Sequence, residues 1–169
     1  VPHAGLQVPP WLRERYLLSE AQTAADGDVG AFDIYSLAAE VTLFARTPIA
    51  RAVLDMNRAS DDVQRADGVV KTHSCWQEPV WRAPLAVEHV QRLLDEYHEP
   101  YHRELSSWAG RVKLGVDCHT MSDVGPPIGP DAGCRRPLVC LSDGKGTTCP
   151  AEWVAALHEC LGRYFGDDV

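Results

Sequence analysis

The amino-acid sequence predicts an α/β fold, three layers deep, with a mostly parallel or mixed sheet and helices on both faces. Three observations predict it. "ARAVLDM" (50–56) is apolar and short, as expected of a strand buried on both faces, and "VKLGVDCH" (112–119) and "LVCLS" (138–142) read as further strands. These runs alternate with segments of helical periodicity, the order that builds a parallel sheet covered on both sides. At 169 residues and 45% hydrophobic, with no internal repeat and no linker, the chain matches one domain, 1–169, with a core of its own.

Each element has its own signal. Val1 to His3 can end a strand, and "AGLQVPP" with its glycine and prolines is a loop. "PPWLRERYLL" starts a short helix, with Pro10 suited to the first turn. Phe32, Tyr35, Leu37, Ala38, Val41 and Leu43 recur at mostly helical spacing and predict a helix over 31–43 that ends near Ala45. After the strand at 50–56, the stretch 57–85 has little periodicity and carries Gly68, Pro79 and Pro84 as breakers, so it is a long loop of the kind that serves a site. Val87, Val90, Leu93, Leu94, Tyr97, Tyr101, Leu105 and Trp108 return every three or four residues, an amphipathic helix over 86–109 that Pro100 should kink. The strand at 112–119, the Gly/Pro-rich "DVGPPIGPDAGCRRP", the strand at 138–142 and a helix from about Pro150 to Phe165 complete the order. The chain opens on "VPHAG" without Met and stops on "GRYFGDDV" after a helix, so it is expected to lack the extreme N-terminus and a C-terminal segment of a longer protein.

Composition narrows the function. A net charge of -8 and no basic run argue against binding nucleic-acid phosphates, which needs clustered Lys and Arg. No stretch approaches the roughly 20 apolar residues of a membrane span, and no charged-then-apolar leader precedes the first motif, so a cytoplasmic protein is expected. The six cysteines are expected to be free thiols, and none forms a C-x-x-C pair of the zinc-knuckle kind.

In a parallel sheet, ligands bind at the carboxyl ends of strands. His3, the "DMNR" of 55–58, and Asp117 with His119 each follow an apolar run, so three strands are expected to deliver polar side chains to one edge. His3 and His119 are candidate zinc ligands, because neutral imidazole suits this cation. A third ligand must be a carboxylate at the start of the following helix, Asp28 or Asp33, with Asp28 favoured by its place ahead of the helix in "GDVGA". Asp117 could orient a ligating imidazole from behind. Arg58 offers a planar fork for a substrate carboxylate, Arg51 could add a second, and Asp55 would hold the loop, or Asp55 and Arg58 simply pair with each other. His98 and His102 are four apart, but "YHEPYH" lacks the acidic partner of a metalloprotease helix and reads as structural. "KTHSCW" (71–76) can line or close the site, and no elbow motif surrounds Ser74 or Ser122.

Together "VPHAG", "DVGA", "RAVLDMNR", "YHEPYHREL" and "VDCHTM", in this order over residues 1 to 121, resemble the N-formylglutamate amidohydrolase family. That family is similar in turn to the zinc carboxypeptidases and aspartoacylases. The resemblance implies a phosphorylase/hydrolase-like fold as in zinc carboxypeptidases, zinc on His3 and His119, and a substrate carboxylate gripped by Asn57 and Arg58. Leu6 stands where the carboxypeptidase-type site has Glu, and the general-base Glu of such enzymes is expected beyond Val169. The implied function is zinc-dependent cleavage of an N-formyl or N-acyl amino acid that carries a carboxylate. The alternatives are a non-catalytic domain binding a small acid or a partner, and a carboxypeptidase-like metallopeptidase.

Overall fold

The computed structural model describes residues 1–63 and 65–169. They form two compact units, Val1–Met121 and Ser122–Val169.

The expected three-layer sheet, and with it the arrangement of the zinc carboxypeptidases, is not what the chain adopts. Among the described residues no β-strand forms, and pairing is confined to isolated bridges. The reason lies in where the backbone groups go. A strand must spend its N–H and C=O groups on neighbouring chains. The 50–56 run instead turns in its middle, where Val53 N and Leu54 N both donate to Ala50 O at 2.9 and 3.1 Å, while its ends reach other segments through Ala50 N to Gln7 O at 3.0 Å and Asp55 N to Val69 O at 2.8 Å. Among the described residues, this run and the residue before it are bridged to the His3 segment by two isolated parallel bridges, Gly5 with Ala50 and Gln7 with Ile49. Leu114 and Val116 of the expected strand at 112–119, and Leu138 of that at 138–142, are exposed, so neither run is buried between layers. Gly5 permits the bridge to be this close, because a Cβ there would sit 2.4 Å from the carbonyl carbon of Pro48.

In the first unit, a 3-10 helix, Pro10–Arg15, begins at the proline pair and buries Leu12. Helix α1, Glu20–Asp26, starts from a capping box in which Ser19 and Gln22 bond reciprocally. Helix α2, Ala31–Ile34, is a single turn entered through Gly30 at φ 76°. The helix expected over 31–43 therefore stops early, and Phe32, Ile34, Leu37 and Val41 stay exposed. The amphipathic stretch is helical throughout, as α3 (Val87–Leu93), a π-helical segment (Leu94–His98) and α4 (Glu99–Ser107). The core of this unit gathers Leu12, Ile49, Ala50, Val53, Leu54, Met56, Val69, Val70, Val80, Leu93 and Leu94. The 50–56 run is thus buried as expected, but as a coil of turns. Within this apolar mass lies an ion pair, Lys71 Nζ to both oxygens of Asp26 at 2.9 Å, with both side chains almost fully enclosed. Trp81 Nε1 donates to Lys71 O at 2.7 Å and fixes the backbone beneath it.

The second unit holds α5, Ala151–Phe165, none of whose residues is buried. An Arg136–Asp131 ion pair at 2.6 Å and the bridge of Val124 with Arg135 shape its loop. All six cysteines are free. Among the described residues no helix is long and apolar enough to cross a membrane.

Candidate metal centre

Three polar side chains from distant parts of the first unit meet at one point. His3 follows the turn at the start of the chain, Asp28 lies between α1 and α2, and His119 lies in the irregular segment after Gly115. None of them arrives on a strand end. Local hydrogen bonds do the placing instead. Asp28 N donates to His3 O at 3.1 Å, and Gly27 gives these chains room, since a Cβ there would come to 3.0 Å of that carbonyl. On the other side Tyr35 Oη donates to His119 O at 2.8 Å, and Thr120 Oγ1 donates to Val29 O at 2.8 Å. The short α2 with its flanks therefore anchors the 119–120 backbone beside Asp28.

One donor atom from each of His3, Asp28 and His119 lies within 4.8 Å of the others. His119 Nδ1 is 2.8 Å from Asp28 Oδ2, His3 Nδ1 is 3.8 Å from Asp28 Oδ1, and the two ring centroids are 4.9 Å apart. Zinc bonds of about 2.0–2.1 Å put neighbouring ligand atoms roughly 3.3–3.5 Å from each other in a tetrahedron. The observed spacings bracket that value. Two imidazoles and a carboxylate are also the donor types that suit this cation. The residues present fit a zinc ion.

The opposite face of each ring is held by another carboxylate. His3 Nε2 bonds Asp55 Oδ1 at 2.8 Å, and His119 Nε2 bonds Asp117 Oδ2 at 3.0 Å. A carboxylate accepts, so His3 and His119 both donate from Nε2, and His119 Nδ1, 2.8 Å from Asp28 Oδ2, donates as well. Asp55 is fully buried. Burial works against its charge, but the His3 bond and charge, Arg51 and the Asn57 N–H hold its carboxyl far below the usual carboxylate range. Burial likewise opposes the charge of Asp117, and His119 and Asn57 outweigh it and lower its pKa. For His119, burial disfavours the imidazolium, yet Asp117 and Asp28 lift its pKa to about 9. The two aspartates flanking that ring thus stabilise positive charge at its position.

The remaining sequence-predicted residues divide. Asn57 Nδ2 donates to Asp117 Oδ2 at 2.7 Å and lies 3.0 Å from His119 Nε2, so it borders the cluster. Arg51 donates from Nε to Asp55 Oδ2 at 3.1 Å and from a terminal nitrogen to Asp26 O at 3.4 Å. Arg58 grips Asp67, donating to its carboxylate at 2.7 and 2.8 Å and to its carbonyl at 2.9 Å, and does not pair with Asp55. Asp33 is not among the clustered donors. The 71–76 loop docks on the end of α1, with Trp76 Nε1 donating to Ala25 O at 3.0 Å, while His73 stays exposed. Sequence reasoning missed Tyr35, Asp26, Lys71 and Asp67. For Asp26 a signal existed, the Ser19-x-x-Gln22 pattern that announces α1; the other three carry none.

The family model described as N-formylglutamate amidohydrolase matches residues 1–168 of the chain. No curated protein and no solved structure matches it.

Proposed function

The chain belongs to the N-formylglutamate amidohydrolase family, and on that premise we propose that it is a zinc-dependent hydrolase cleaving the amide of an N-formyl or N-acyl amino acid, with an N-formylglutamate-like substrate. Membership implies a hydrolase acting on amides of small N-acyl amino acids. The observation that carries the metal half is the meeting of His3, Asp28 and His119 within 4.8 Å, with a carboxylate behind each ring.

His3, Asp28 and His119 are the residues that would hold the ion. When bound, zinc supplies a Lewis acid that polarises an amide carbonyl and brings the pKa of bound water toward about 7. Asp55 and Asp117 each hold one imidazole by its Nε2 and so fix its ring plane, leaving Nδ1 as the atom of each ring that would take the ion. Asn57, bordering His119, offers an amide to the substrate. Arg58 presents a planar fork that a substrate carboxylate can share with or take from Asp67. Arg51 adds positive charge behind Asp55.

Metal content and formate release from N-formyl-L-glutamate, measured on the purified protein, test the proposal. Near-stoichiometric zinc, lost together with turnover in His119→Ala, is the expected result. Stoichiometric zinc surviving that substitution would refute the site, and a zinc-loaded full-length protein, with whatever follows Val169, that hydrolyses no N-acyl amino acid would refute the activity. Arg58→Ala is expected to raise KM at least tenfold, the scale of one charged hydrogen-bonding partner at about 1.5–3 kcal/mol.

A further inference from the structure

His98 and His102 play no part in the cluster, yet both rings turn toward the corner that carries Asn57 and Arg58. His98 ends the π-helical segment and is 6% exposed, and His102 lies on α4 with its ring 4.3 Å away, centroid to centroid. His98 Nε2 is 2.9 Å from Arg58 O, and His102 Nε2 is 2.8 Å from Met56 O. A carbonyl only accepts, so both rings donate from Nε2. Burial disfavours the charged ring of His98 and lowers its pKa, in keeping with a neutral donor. Tyr101 meets the His102 ring edge-on at 5.4 Å and helps fix its plane.

These two bonds complete a pattern begun by Asp55. The Met56–Asn57 peptide has its carbonyl held by His102 and its N–H held by Asp55 Oδ1 at 3.0 Å. Arg58 has its N–H on Asp55 O at 3.2 Å and its carbonyl on His98. The peptide planes before Asn57 and after Arg58 are therefore pinned, and the backbone directions from which both side chains leave are set. Packing alone needs no such matching of imidazole donors to the two corner carbonyls that flank Asn57.

We propose that His98 and His102 are positioning residues that hold the Asn57–Arg58 corner in the orientation that receives the substrate carboxylate. The inference rests on the carboxylate reading above and extends it to residues that touch no substrate.

The test uses the zinc-loaded full chain, His98→Ala, His102→Ala, and the Gln variants that keep an amide donor. Two substrates are compared, N-formyl-L-glutamate and its diamide, which carries no carboxylate. Each Ala variant is expected to raise KM for the acid about tenfold, the scale of one lost hydrogen bond, with kcat and zinc content little changed. The Gln variants should recover most of the loss, KM for the diamide should stay put, and amide hydrogen exchange over residues 56–59 should quicken in the Ala variants. Equal losses on both substrates, a loss in kcat alone, or unchanged exchange at 56–59 would overturn the inference. Failure of the carboxylate reading looks different: the parent enzyme would not distinguish acid from diamide, and faster exchange in the Ala variants would still support the holding role.

Discussion

Asp55→Asn separates the orienting role of a buried carboxylate from its bulk, since the side chain keeps its shape. Asp55 accepts from His3 Nε2 at 2.8 Å and Asn57 N at 3.0 Å on one oxygen, and from Arg51 Nε at 3.1 Å on the other. An amide can serve His3 and Asn57 with its oxygen, but its NH2 then faces the Arg51 donor. Two bonds drop from charge-assisted to neutral strength, about 1 kcal/mol each, and the third is lost. Arg51 also loses its counter-charge. Breaking a buried pair on one side costs about 3–5 kcal/mol, and the bond-by-bond reckoning falls in the same range. Urea unfolding in the presence of chelator should show this loss. Zinc affinity, read by competition with a chromophoric chelator, should fall about 10- to 100-fold, as when a carboxylate behind a ligating imidazole is removed. A variant less than 1 kcal/mol down in stability, with affinity within about threefold of the parent, would refute the orienting role.

Other perturbations probe the surrounding frame. Lys71→Met strands the Asp26 carboxylate in the core and should cost about 3–5 kcal/mol in chemical denaturation, most of it recovered by adding Asp26→Asn. Gly5→Ala forces a Cβ against the Pro48 and Ile49 backbone and should cost about 1–3 kcal/mol while weakening zinc retention, measured by unfolding and metal analysis, because the chain leading to His3 must move. Tyr16 bonds Thr23 at 2.9 Å, and its phenol is pushed up to about 12, chiefly by burial. The folded state therefore resists its ionisation, so its contribution is full below about pH 10 and lost as pH rises toward 12. Tyr16→Phe should cost about 1 kcal/mol at neutral pH and remove this residue's share of the alkaline fall, as pH-dependent unfolding would show.

What the sequence made legible depended on the range of the signal. The 86–109 periodicity and the terminal helix are local, and both elements are present at nearly the expected positions. The strands were not legible, because a strand exists only through its neighbours. "ARAVLDM" has strand-like apolarity but turns at Ala50–Leu54 instead of pairing along its length, and apolarity alone does not distinguish the two. Helix 31–43 failed for a related reason: spacing predicts a face, but Val41 stays exposed and Phe32 is covered in part by the Arg46 guanidinium, 4.7 Å over its ring, rather than by an apolar surface. The cluster of His3, Asp28 and His119 did not need the sheet that was expected to build it. Capping, glycine contacts and two hydroxyl bonds from the α2 region bring the same residues together. Arg58 shows the converse, since its partner Asp67 is nine residues on and nothing in "DMNR" announces it.

The π-helical segment at Leu94–His98 sets the rotational phase of everything after it. A π-bulge amounts to one inserted residue, and each residue of an α-helix turns the chain by about 100°. Val90, Leu93 and Leu94 point to the apolar interior, while His98, at the end of the bulge, and His102, beyond it, address the carbonyls of Arg58 and Met56. Winding these same residues as an uninterrupted α-helix would instead carry both imidazoles about 100° past their acceptors. The irregularity is thus a phase shifter, letting one helix serve two faces that ordinary winding would not align.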